Sequence, residues 1–158
     1  MTNPTLRAPR ALLFDLDGTL ADTAPDLAAA VNHLRITRGM PPTPYEMLRP
    51  VASAGARGLI GVAFGMTPVD PDYDALRIDF LDRYAANIAD NTTLFDGVTA
   101  LLLHLQEQGL HWGIVTNKPA RFTDALVPQI GLELAGCVIS GDTTAHAKPH
   151  PEPLLEAA

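Results

Sequence analysis

The chain contains one cysteine among its 158 residues, Cys137, and no run of lysine or arginine. A single thiol cannot close an internal disulfide or supply a cysteine metal cluster. Cys137 follows an apolar stretch and is expected to be a core thiol. With 11 Lys and Arg against 18 Asp and Glu, the net charge is −7. An acidic chain without a basic face excludes a nucleic-acid partner held through phosphates. The longest apolar runs fall well short of a bilayer span, and residues 1–10 are polar with no apolar signal region. No membrane partner is therefore expected, and the simplest address is cytoplasmic. Repeats and low-complexity tracts are lacking too, as are a Walker loop and a dinucleotide glycine fingerprint. An EF-hand fails because glycine and the closing glutamate are misplaced relative to Asp15. The five histidines show no metal-ligand spacing. His33, His104 and His111 read as surface or helix-face residues, and His146 and His150 as shaping one late loop.

What remains is a globular composition, 47% hydrophobic and 18% charged, in a chain long enough for a core plus an inserted subdomain. The short apolar run Ala11-Leu12-Leu13-Phe14 ends abruptly in Asp15-Leu16-Asp17-Gly18-Thr19, as a buried strand feeding a polar loop does. Helical spacing follows over residues 25–38, 54–64 and 73–89, with Pro41, Pro42 and Pro44 as a stiff connection. The third of these carries Leu76, Phe80, Leu81, Tyr84 and Ile88 on one face. Residues 91–93 read as a linker. Asp96 is placed to cap a further helix with Val98, Leu101, Leu102 and Leu105 as its buried stripe. Residues 112–116 and 137–139 read as strands. Between them a helix covers 121–130, which Pro128 would kink or shorten. A last helix starts at Glu152.

Strands alternating with helices predict an α/β fold with a Rossmann-like parallel-sheet core. The long helical connection between the first two strands predicts an inserted helical cap. The expected layout is core from residues 1–21 and 92–158, with the cap at 22–91.

Ligands of open α/β sheets bind beyond the carboxyl ends of the strands. Those ends deliver Asp15 and Asp17, then Thr116, Asn117 and Lys118, then Asp142 and Lys148. A carboxylate can attack phosphorus, and a second one two residues on can protonate the leaving oxygen and later activate water. Ammonium, hydroxyl and amide donors can stabilise the transferring charge, and the acids can hold a hard cation such as Mg²⁺. Such a cation, or a few local ones, is required if an anionic substrate is to enter so acidic a chain. Lys118 reads either as a functional cation or as a solvated lysine at a helix start, and the second is preferred because Lys148 already fills the phosphate role. Gly55 and Arg57 offer close backbone approach and a fork for a substrate carboxylate. A plain helix start with a solvated arginine fits those residues equally well.

The residues 14–23, FDLDGTLADT, resemble the first motif of the haloacid dehalogenase superfamily. Val115-Thr116-Asn117-Lys118-Pro119 resembles its second motif in phosphoglycolate-phosphatase-like members, and Lys148-Pro149-His150-Pro151-Glu152-Pro153 its third. The three stand in the family's order at predicted strand ends. The resemblance implies that Asp15 is nucleophile and metal ligand, and that Asp17 is general acid and base, with its backbone carbonyl also on the metal. It implies that Thr116 and Asn117 hold phosphate, that Lys148 neutralises it, and that Gly18 and Thr19 form the turn at the substrate site. It further implies Mg²⁺ and a small phosphorylated metabolite, 2-phosphoglycolate first and N-acetylmuramic acid 6-phosphate or another sugar phosphate second. A phosphomutase and a dehalogenase fit less well. Family members carry a fourth, acidic motif beyond the third, for which no counterpart follows Lys148. The expectation is thus a chain lacking its C-terminal portion, with an incomplete sheet, weakened metal binding and marginal stability. A non-catalytic binding module is the alternative of a different class.

Overall fold

The structure is a computed structural model that describes residues 9–158; the expectations for residues 1–8 lie outside the described residues. Three parallel strands form the sheet, in the order β1 (Ala11–Phe14), β4 (His111–Val115), β5 (Val138–Ile139). Register pairs Leu12 with Trp112, Phe14 with Ile114 and Val115 with Ile139. β4 is the centre, and its Trp112, Ile114 and Val115 are buried. Helix α5 (Val98–Glu107) leads into β4, and α6 (Ala120–Gln129) connects β4 to β5. Helix α7 (Glu152–Ala157) packs on β4 and β5. The fold is α/β, as the alternation of elements requires.

The long connection after β1 folds into α1 (Ala24–Thr37), α2 (Tyr45–Leu48), a 3-10 turn (Arg49–Ala54), α3 (Gly55–Phe64) and α4 (Tyr73–Ala86). α1 packs against both α3 and α4. The helical stripe Leu27, Ala30, Val31 and Leu34 is buried with Leu59 and Ile60 of α3 and Leu76 and Phe80 of α4. Each such large side chain contributes about 1.5–3 kcal/mol on burial, and these residues run on into the same apolar cluster as Ile114, Phe122 and Leu126. A two-stranded antiparallel ribbon stands where the chain leaves for these helices and where it returns. It joins β2 (Ala21–Asp22) to β3 (Thr93–Leu94), pairing Ala21 with Leu94 and Asp22 with Thr93.

Several local expectations are corrected. The proline-rich connection gives way at Tyr45 to α2 and the 3-10 turn. It is fixed by the Asn32 amide, which donates to the Thr43 carbonyl (2.9 Å) and accepts from its N–H (2.7 Å). Residues 91–93 are not a free linker, because Thr93 is already paired in β3. α4 ends at Ala86, so Ile88 is buried outside the helix. Gly97, not Asp96, holds the cap position of α5, and no side chain caps it. Leu101 leaves the predicted stripe and is 43% exposed. Pro128 sits in the last turn of α6, which continues to Gln129. Its missing N–H forfeits the bond to the Asp124 carbonyl, and the helix ends one residue later. Cys137 precedes β5 and is half-buried, though its carbonyl still accepts from Ile114 N–H at 2.9 Å.

Beyond β5 the chain closes tightly on the exit of β4. Gly141 N–H donates to the Lys118 carbonyl at 2.9 Å, and a Cβ at Gly141 would overlap the backbone carbonyl of Asn117. Backbone cannot yield as a side chain does. Gly141→Ala is therefore expected to cost about 2 kcal/mol, read as a lowered urea midpoint.

Candidate active site

The turn after β1 aims both acids from one strand end. Gly18 takes φ +78°, and its N–H donates to the Ala21 carbonyl at 2.9 Å. The Leu16 carbonyl accepts from Leu20 (3.1 Å) and Ala21 (3.0 Å), while the Leu16 and Leu20 side chains are buried beneath. A side chain is strained at that φ, which is why glycine follows Asp17. Asp15 Oδ1 accepts from Leu16 N–H at 2.8 Å and lies 3.1 Å from Lys148 Nζ. Asp17 Oδ1 accepts from the Thr23 hydroxyl (2.5 Å) and from Lys118 Nζ (3.0 Å). No described residue donates to Oδ2 of either acid. Each carboxylate is thus anchored through one oxygen and free at the other.

The other strand ends converge on this pair. Lys148 Nζ also donates to the Val115 carbonyl at 2.7 Å, which holds the ammonium at the end of β4. Thr116 is buried; its N–H donates to Ile139 O, and its Oγ accepts from Lys118 N–H at 3.2 Å. Asn117 lines the cavity. Its amide donates to the Lys148 carbonyl (3.0 Å) and accepts from Lys148 N–H (2.9 Å), so both polar atoms clamp the loop that carries Lys148. Gly18 and Thr19 form the turn but do not line the cavity. Asp142 reaches back to accept from Ala120 N–H at 2.7 Å, capping α6, where Pro119 has no side-chain acceptor to offer.

Lys118 is the largest correction. It is not a solvated lysine. Its side chain is 6% exposed, paired with Asp17, and its ammonium lies 4.7 Å from the centre of the Tyr84 ring. Two charges so placed need each other, since either one alone would be buried unpaired. Tyr84 comes from α4, packs against Phe122 of α6 and has no hydrogen-bond partner for its buried hydroxyl among the described residues. Burial first, then the Asp17 and Asp26 carboxylates, push its phenol far above the ordinary range, so it stays neutral. The available signal for Lys118 was its place two residues after a buried strand end. The aromatic partner comes from a distant helix and left no signal nearby.

A cavity of ≈ 810 Å³ opens over the acids, walled on the far side by α3 and α4. Lys118, Lys148, Arg57, Arg77 and Arg121 line it, five of the chain's 11 basic residues, against four carboxylates. The lining thus carries one more positive than negative side chain, in a chain of net charge −7. Arg57 stands in this wall, exposed and free of any ion pair among the described residues. Arg121 is 4.0 Å from Asp82. Outside the cavity, His146 and His150 stack at 4.4 Å, and His146 Nδ1 lies 2.7 Å from Glu152 Oε2. That hydrogen bond holds the Glu152 carboxyl below its usual range.

The family profile described as Haloacid dehalogenase-like hydrolase matches residues 12–158, nearly all of the chain. The chain belongs to the haloacid dehalogenase-like hydrolases. It is 47% identical over 154 residues to a phosphoglycolate phosphatase of Xanthomonas campestris pv. campestris (strain 8004), covering 97% of this chain and 69% of that protein. It is 43% identical over 149 residues to an N-acetylmuramic acid 6-phosphate phosphatase of Pseudomonas putida (strain KT2440), covering 94% and 67%. The crystal structure of a HAD-superfamily hydrolase from Geobacter sulfurreducens PCA superposes with a TM-score of 0.74 at 21% identity, covering 94% and 70%, and shows the same fold. The phosphatase resemblance drawn from the three motifs is borne out. Haloacid dehalogenase-like phosphatases generally act with a divalent metal. Asp15 and Asp17 suit such an ion, since they offer hard oxygens from one strand end, the Asp15 carboxylate oxygen free of described protein donors and the Asp17 backbone carbonyl.

Proposed function

We propose that this haloacid dehalogenase-like hydrolase cleaves the phosphate monoester of a small metabolite, 2-phosphoglycolate, through an aspartyl-phosphate on Asp15. The observation that carries the reading is the anchoring of Asp15 and Asp17 through one oxygen each, beneath a cavity lined by five basic side chains. The free Asp15 oxygen attacks phosphorus, and the bond from phosphorus to the ester oxygen breaks. Asp17, which enters the cycle protonated on its free oxygen, gives the ester oxygen that proton. Water then attacks phosphorus while Asp17 takes a proton from it, and the bond to Asp15 breaks, leaving phosphate and a free carboxylate. Lys148 and Thr116 stabilise the charge on the transferring group, and Asn117 positions Lys148. Mg²⁺, held by the Asp15 carboxylate and the Asp17 backbone carbonyl, would supply charge neutralisation for the phosphate. Residues 22–91 act as the cap, with the ribbon of β2 and β3 at its base.

Lys118 holds Asp17 in place and adds positive charge beside it. Lys118→Met keeps the aliphatic stem and is expected to lower kcat about 100-fold, with KM changing much less. Arg57 is the cap residue placed to grip a substrate carboxylate. Arg57→Ala is expected to raise KM about tenfold for 2-phosphoglycolate and to leave an aryl phosphate that bears no carboxylate unaffected.

A second substrate is favoured by cavity size. A volume of ≈ 810 Å³ lies in the upper part of the range for drug-sized ligands and far exceeds a two-carbon acid, so N-acetylmuramic acid 6-phosphate also fits. Its lactyl carboxylate offers Arg57 the same contact. The deciding experiment is Mg²⁺-dependent phosphate release from 2-phosphoglycolate, N-acetylmuramic acid 6-phosphate and an aryl phosphate. Higher kcat/KM on 2-phosphoglycolate supports the first reading, and higher kcat/KM on the sugar phosphate replaces it with the second. No release from the folded chain would sink both and leave the non-catalytic module.

A further inference from the structure

We propose that His146, His150 and Glu152 form a binding site for a borderline divalent transition ion of the zinc class, separate from the acid pair. One ligand atom from each of these residues comes within 4.8 Å of the others. His146 Nδ1 is 2.7 Å and His150 Nδ1 3.7 Å from the same Glu152 oxygen. Ligand atoms around a tetrahedral zinc stand about 3.3 Å apart, from bond lengths near 2.0–2.1 Å, so small side-chain rotations complete the set. Those rotations disturb no core packing, because the three side chains are 63%, 50% and 36% exposed. Two imidazoles and one carboxylate suit zinc, nickel or copper, whereas Mg²⁺ and Ca²⁺ take oxygen donors.

The backbone that presents these ligands is already fixed. The Thr144 hydroxyl donates to the His146 carbonyl at 2.8 Å, and His150 N–H donates to the Ala147 carbonyl at 3.0 Å. The Asn117 amide clamps Lys148 between them. Little ordering entropy is left to lose on binding. The ligands also do not line the catalytic cavity, so an ion here need not compete with substrate. Lys148 lies between the two histidines in sequence, and its ammonium touches Asp15. An ion on His146, His150 and Glu152 therefore closes the same turn that aims Lys148, and occupancy tightens that aim.

The test is zinc titration of the whole chain against a chromophoric chelator. One ion per chain is expected. It should be retained in the Asp15→Asn, Asp17→Asn double variant and weakened about tenfold or more in His146→Ala, His150→Ala and Glu152→Gln. Zinc should also raise the melting temperature of the wild type and not of His146→Ala. Histidine ¹⁵N spectra of the wild type give a readout independent of any variant. Zinc should move the imidazole nitrogens of two of the five rings and leave three unchanged. Zinc binding that is lost with the acids and kept without the histidines would overturn the proposal. So would the absence of any saturable binding, or spectra in which no histidine ring moves.

Discussion

Asp15→Asn is expected to lower metal-dependent phosphate release by roughly 10⁴-fold or more, with the fold intact. The substitution is isosteric, and the amide oxygen can still accept from Leu16 N–H. What it removes is the anionic oxygen that no described residue binds, the one the mechanism uses to attack phosphorus. It also takes the negative charge from beside Lys148, 3.1 Å away. The Asp15 side chain is 44% exposed, and exposed ion pairs contribute at most about 1 kcal/mol. The urea midpoint should therefore hardly move while turnover collapses. Phosphate release and equilibrium unfolding on the same preparation separate the two effects. Undiminished turnover in the variant would place the nucleophile elsewhere and remove the ground for the aspartyl-phosphate.

The strand end that carries this acid was legible because two local signals coincide there. An apolar run stops, and an acid–x–acid–glycine turn begins. The same holds for Thr116 at the end of β4. Legibility fails where a residue's environment is made by distant chain. Lys118 has the local sequence of a solvated helix-start lysine, yet Asp17 and the Tyr84 ring enclose it from 101 and 34 positions away (118 − 17 and 118 − 84). Asn117 follows the end of β4 and lines the cavity. Its reciprocal bond with the Lys148 backbone depends on the tight closure that Gly141 permits. His146 and His150 show no metal-ligand spacing in the sequence, because their meeting with Glu152 depends on the turn around Lys148 and not on helical or strand periodicity. In the fold, long periodic helices were readable to within a few residues. The two-residue strands β2 and β3 carry too little pattern to be read, since each exists only through the other.

Asp26 is expected to be among the most sensitive positions for stability. Its side chain is 2% exposed and accepts five hydrogen bonds. They come from Asn91 N–H (2.9 and 3.0 Å to the two oxygens), the Asn91 amide (2.9 Å), Thr92 N–H (2.8 Å) and the Thr92 hydroxyl (2.7 Å). All four donor groups lie on the segment that returns from the helical insertion, while Asp26 starts it. One carboxylate thus ties the two chain passes together beside the ribbon of β2 and β3. Asp26→Ala leaves those donors without their acceptor in a place that water reaches poorly, and should cost about 3–5 kcal/mol. Asp26→Asn should recover only part of this, because its NH₂ group would face donors. Thr92→Val removes one hydroxyl contact and should cost about 1 kcal/mol. Urea unfolding followed by circular dichroism measures all three. The function should register the same change, since the clamp sets where Arg57 on α3 stands relative to Asp15 on the core. A destabilised but folded Asp26→Asn chain should show a higher KM for 2-phosphoglycolate at conditions where the wild type and Thr92→Val do not. Equal midpoints for Asp26→Ala and the wild type would mean that the ribbon and the Tyr84–Phe122 contact hold the two parts together without this carboxylate.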